Sequence, residues 1–323
     1  MMLTMTVVED LSDAERRVWE AFPKGQLVDF CERNTNVNDP AKSDQWSANR
    51  HVRAEVVSAL LCGAVPVKTG HLGELYVRGA FFDGMIDLHE VEVKHPLRLD
   101  GCVVPGGIRL SNATTRSISL RGCRLGVITM EGARVTGDID LCAAQLDGMG
   151  NRVLNCDGLT VTGRMNCCEG FTATGLISLV GASIGGGLDF EGAQLDGNGR
   201  PALNADELTV TGVMSCGKGF QSNGEIRLHS ARIGPLLSFS GAQLDGNGRP
   251  ALNADGLTVT GAMWCEEGFR CKGEIRLRSA RIGLQLSFSG AQLDGVGSPA
   301  TALKFSELCP IPGDSTLRYL WCK

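Results

Sequence analysis

Aromatic residues are scarce in this chain. They make up 5% of 323 residues, with two tyrosines and four tryptophans. A core must then be filled by aliphatic side chains, and few platforms remain for stacking bases or sugar rings. Long apolar runs are missing too. VVSALLCGAVPV, Val56 to Val67, falls short of the roughly 18 residues of a membrane span and contains Pro66. The opening MMLTMTVVEDLSD has neither the basic start nor the apolar stretch of a secretory leader. A cytoplasmic protein is expected, and its thirteen cysteines are expected to be reduced thiols. Net charge is −5, which argues against direct nucleic-acid binding through overall charge. Cofactor and catalytic signatures are also missing. There is no strand–GxGxxG–helix unit, no HExxH and no GxSxG, so no cofactor or metal is expected.

What the chain has is glycine, 43 residues of it, and repetition. LDGNGRPALNADELTVTG starts at Leu195, and LDGNGRPALNADGLTVTG starts at Leu244. They differ only at Glu207 and Gly256. AQLDG recurs from Ala144, Ala193, Ala242 and Ala291. Inside this period lies a smaller unit with apolar residues at i, i+2, i+5 and i+7. Ile226, Leu228, Ala231 and Ile233 form one; Leu237, Phe239, Ala242 and Leu244 form the next. Apolar residues separated by one polar residue make a short strand with one face inward. Two units make a four-sided coil. The template fits from Leu75 to Pro310, with Thr115 and Pro310 imperfect, and predicts about ten stacked coils. Units at Met165, Met214 and Met263 carry one extra residue. DGMGNR and DGNGRP are predicted to leave the rod as loops on every second coil.

AQLDG and ARIGP resemble the AxLxx unit of the pentapeptide-repeat family, with one extra residue per pair of units. GEIRLRSARIGLQLSFSGAQLDG is similar to actinobacterial solenoid proteins often labelled membrane-associated oxidoreductase. The pentapeptide resemblance implies an all-β solenoid, a right-handed quadrilateral parallel β-helix. It also implies partner binding, in some relatives of topoisomerases through an acidic, DNA-like surface.

The ends depart from the template. Residues 1–70 are expected to form a helical cap. Ser12 and Glu15 make a capping box for a first helix toward Pro23. Ser47 is expected to start a second, with Val52, Val56, Val57, Leu60 and Leu61 on one face and Gly63 as its stop. Residues 71–310 form the β-helix, and 311–323 an irregular tail or cap. Leu317, Tyr319 and Cys322 begin another unit, so end-to-end homodimerisation through the C-terminal coil is an expectation.

Candidate chemistry is thin. Cys167, Cys216 and Cys265 recur two coils apart, on the order of 10 Å, too far to share one zinc. They suit core packing. Asp196, Asp245 and Asp294 form one acidic ladder, and Asp157, Asp206 and Asp255 another; Asp-Gly steps are also turn formers. Arg227, Arg232, Arg276, Arg278 and Arg281 gather around one kind of edge. The sequence therefore points to a scaffold that binds a macromolecule, most simply a protein, through repeated charged edges and loops. Arg227, Arg276, Arg278, Asp196 and Asp245 are the candidate contacts, with Trp46, Arg50 and Arg53 of QWSANRHVRAE as a further binding motif. Two other readings remain open. One is an enzyme with a small-molecule site at the N-terminal junction or C-terminal end; the other is a DNA mimic aimed at a topoisomerase.

Overall fold

A strand of two residues has too little pairing to persist alone, so this chain can fold only by stacking. The computed structural model describes residues 10–33, 35–67, 70–294, 303–304 and 318–320. It shows a parallel β-solenoid of about 9 turns. In one coil the four sides are Leu188–Asp189, Gln194–Asp196, Leu203–Asn204 and Thr209–Val210. The next coil repeats them with Met214–Ser215, Gln221–Asn223, Ile226–Arg227 and Arg232–Ile233. These are called below the first to fourth sides. Pairing is parallel and in register, with Leu188 beside Met214, Leu195 beside Ser222, Leu203 beside Ile226 and Thr209 beside Arg232. The turn count falls just below the ten expected, and the last unit, Leu303 to Pro310, lies mostly outside the described residues.

The inward positions are those of the template. Leu188, Phe190, Ala193, Leu195, Leu203, Ala205, Leu208 and Val210 are all buried. Each large aliphatic or aromatic residue so buried contributes about 1.5–3 kcal/mol. Phenylalanines form their own column inside the rod: Phe190 lies 6.2 Å from Phe220, and Phe269 lies 6.4 Å from both Phe239 and Phe288. The imperfect Thr115 points inward as well and is buried. Cys167, Cys216 and Cys265 are core residues with no solvent exposure. Burial pushes the Cys167 and Cys216 thiols well up, so they stay protonated and apolar in character.

One pair of cysteines corrects the expectation of reduced thiols throughout. Cys142 and Cys168 form a disulfide, with Cα atoms 4.5 Å apart. They occupy equivalent positions on adjacent coils of the first side, next to the pairing of Ile139 with Met165. Stacking brings them within bonding range. Cys167 turns inward and Cys168 outward, as strand alternation requires.

At the N-terminus the capping box is present: the Glu15 amide donates to Ser12 Oγ at 3.2 Å and the Ser12 amide to Glu15 Oε2 at 2.9 Å. It opens helix α1, Asp13–Ala21. The second helix, α2, spans Ala54–Leu61 and does not start at Ser47. Ala48–Arg50 is a single 3₁₀ turn, and His51–Arg53 is a strand paired with Phe81–Asp83. Val28–Asp29 likewise pairs with Val77–Arg78. The first coil would otherwise present unpaired backbone N–H and C=O groups, and covering them outweighs extending the helix. At the other end Arg318–Leu320 pairs with Gln285–Ser287. The rest of the expected tail, and the dimer contact assigned to it, lie outside the described residues.

The one difference between the two long repeats falls at a corner that demands a left-handed backbone. Glu207 has φ of 59° and Gly256 a φ of 71°. A side chain there costs about 1 kcal/mol that glycine avoids. Glu207→Gly should therefore raise stability by about 0.5–1 kcal/mol, read as a higher urea midpoint with unchanged slope.

Candidate binding faces

The second side carries a groove with a volume of about 500 Å³. Its strands hold three residues, the middle one inward and the outer two facing solvent. One outward column runs through Gln194, Gln221 and Gln243 to Arg270. The other runs through Asp196, Asn223, Asp245, Lys272 and Asp294. From Thr172 to Asp294 the groove crosses six rungs, about 24 Å at the spacing of stacked strands. The Gln column was missed in the sequence reading. Its signal was present in AQLDG and FQSNG, where Gln precedes the inward residue in successive coils.

The two predicted aspartates of this groove are partly committed. Asp196 Oδ1 accepts the Asn198 amide at 2.8 Å and Asn223 Nδ2 at 3.1 Å. Asp245 Oδ1 accepts the Asn247 amide at 2.8 Å, and its Oδ2 meets Lys272 Nζ at 2.8 Å. The hydrogen bond from Lys272 holds the Asp245 carboxyl below the usual carboxylate range. Both aspartates therefore form the turns that launch the loops. Arg200 donates its amide to Gly197 at 3.0 Å across Asn198 and Gly199, closing the loop.

Each loop rests on the loop-free coil that follows. A Cβ on Gly224 would lie 2.5 Å from the Arg200 carbonyl oxygen, and φ at Gly224 is 129°. Gly224→Ala should therefore lift the loop and cost about 1–3 kcal/mol. Thermal unfolding and faster amide exchange at Asn198 and Gly199 would report it.

The arginines divide between two sides instead of sharing one edge. Arg227 and Arg276 stack on the third side with Asn253 between them. Arg227 pairs with Asp206, and Arg276 Nη2 lies 2.8 Å from Glu274 Oε2. Their Nε atoms and Asn253 Oδ1 are buried without a hydrogen-bond partner among the described residues. Arg278 lies at the next corner, exposed, its amide donating to Asp255 Oδ1 at 2.8 Å. Asp206 and Asp157 make the same bond to the His229 and Val180 amides, so this acidic ladder staples coil to coil. Arg232 and Arg281 belong to the fourth side. Acidic columns are broken by Asn223, Lys272 and Arg278.

Trp46, Arg50 and Arg53 lie within the N-terminal segment. Trp46 is buried, and its indole N–H donates to the Val37 carbonyl at 2.8 Å. The Arg50 guanidinium packs 4.9 Å from the Trp46 ring centroid, donates to Asn38 Oδ1 at 2.9 Å and pairs with Glu32 at 3.1 Å. Arg53 grips Glu15 with Nε at 2.7 Å and Nη2 at 2.9 Å. These contacts hold the cap together, while strands His51–Arg53 and Val28–Asp29 join it to the rod. Burial alone would raise the Glu15 carboxyl, but hydrogen bonds from Arg53 and from the Ser12 and Arg53 amides hold it at about 2.

The class is therefore a parallel β-solenoid with polar ladders on its sides. No family model, curated protein or solved structure matches the chain. Among the described residues no helix is long and apolar enough to cross a membrane.

The Glu15 carboxyl titrates lower in the folded chain than in the unfolded one. Its contribution is complete above the unfolded value of 4.5 and is lost as pH falls toward 2. Across that window the parent should lose up to about 3 kcal/mol. Glu15→Gln should remove this part of the pH dependence in urea titrations.

Proposed function

We propose that this protein is an interaction scaffold that binds an extended macromolecular partner, a protein segment, along the second and third sides. The observation that carries the reading is the open groove, crossed by ladders of amides and carboxylates at the coil spacing. Gln194, Gln221 and Gln243 each offer a donor and an acceptor, which suits the amides of an extended chain. Repeated weak contacts at one spacing add up along such a partner. Arg227, Arg276 and Arg278 continue the polar surface around the corner beyond the loops. The resemblance of the units to pentapeptide repeats, which implies partner binding, supports the same reading.

The test uses the full chain as bait in an extract of its native cells, followed by titration of the purified partner. A Gln221→Ala/Gln243→Ala/Asp245→Asn variant should bind more than about tenfold more weakly at unchanged melting temperature. Asn keeps the acceptor that closes the loop turn. Equal affinity of parent and variant would overturn the assignment of the groove.

A further inference from the structure

The fourth side is chemically unlike the rest of the rod. It is an eight-stranded parallel sheet, about 34 Å long. Its first outward column reads Thr160, Ser183, Thr209, Arg232, Thr258 and Arg281. Thr114 and Arg134 precede it in the same register. Threonine thus occupies every second rung, and arginine every other rung except at Ser183. The column beside it offers the exposed Thr136, Thr162, Thr211 and Thr260. Neither column contains a carboxylate, on a chain whose net charge is −5.

The arginines here are free. Arg134, Arg232 and Arg281 are exposed, and among the described residues none has an ion pair or a side-chain hydrogen bond. This contrasts with Arg227 and Arg276 on the adjoining side, both committed to carboxylates. Free guanidiniums thus recur at multiples of two coils, roughly 10 Å, with neutral hydroxyls between them.

We propose that the fourth side binds a linear acidic polysaccharide, one charged on alternate sugars. Guanidinium groups pair in fork geometry with carboxylate or sulfate, and the threonine rows offer hydrogen bonds to sugar hydroxyls. The strip is only two residues wide. Exposed Glu131 and Glu207 line one edge and Asp138 the other. A broad anionic surface would meet these carboxylates, whereas a single chain lies between them. Single-stranded nucleic acid carries charge at a closer interval and draws on aromatic stacking, and the outward columns contain no aromatic residue.

The experiment is a fluorescence-anisotropy titration of labelled hyaluronan oligosaccharide with the full chain at low salt. Neutral dextran, an oligothymidylate and phosphatidylserine vesicles are measured alongside. The parent should bind hyaluronan best, and affinity should fall as salt rises. Arg134→Ala/Arg232→Ala/Arg281→Ala should weaken binding by more than about tenfold with an unchanged melting temperature. Ser183→Arg, which fills the gap in the alternation, should tighten it by about threefold. The groove variant Gln221→Ala/Gln243→Ala/Asp245→Asn should bind hyaluronan as the parent does, which separates this proposal from the groove reading. No hyaluronan binding by the parent would overturn the proposal, as would equal binding by the triple arginine variant. Stronger arginine-dependent binding to the vesicles or the oligonucleotide would overturn the assignment of a glycan.

Discussion

Coil-on-coil hydrogen bonding is the constraint on which everything else depends. Each strand of two or three residues gains order only from the rung below and the rung above. The same stacking buries Leu188 under Met214 and Phe190 near Phe220, so backbone pairing and core packing are satisfied by one movement. Once that register is set, every outward residue has fixed neighbours about 4.8 Å above and below it.

Such close spacing explains why the repeat spans two coils and not one. Like charges on consecutive rungs would repel by about 1 kcal/mol even in bulk water, and about half as much two rungs apart. Asp196, Asn223, Asp245, Lys272 and Asp294 accordingly alternate, as do Thr209, Arg232, Thr258 and Arg281. Loops obey the same rule. The loop closed by Arg200 lies against Gly224 of the following coil, a place that tolerates no Cβ and hence no second loop. A coil that carries a loop is thus followed here by one that makes room for it.

The N-terminal segment solves a different problem. A solenoid end is an open sheet edge, and here two short strands close it, Val28–Asp29 and His51–Arg53. The bidentate Arg53–Glu15 pair ties the second of them to α1. A polar motif that reads in sequence as a ligand site is thereby engaged in holding the cap, with Arg50 and Trp46 buried against each other.

The inward half of this protein was legible from sequence alone. The i, i+2, i+5, i+7 template named the core and the strands because strand alternation is local and needs no partner to be read; of the expected loops, DGMGNR instead lies within the irregularly paired strand Gln145–Asn155. The Ser12 capping box was legible for the same reason. The outward half was not. Cys142 meets Cys168 across a sequence separation of 26, and Arg227 meets Asp206 across 21. The first separation is one turn of the coil and the second falls two residues short of one; the turn varies with corners and loops and is set only when the coils stack. The start of α2 was missed because Val52 belongs to a strand whose partner lies at Phe82. Which arginines are paired and which are free was likewise decided by the tertiary structure. A side chain's outward direction is fixed by alternation, but its neighbours are fixed by register.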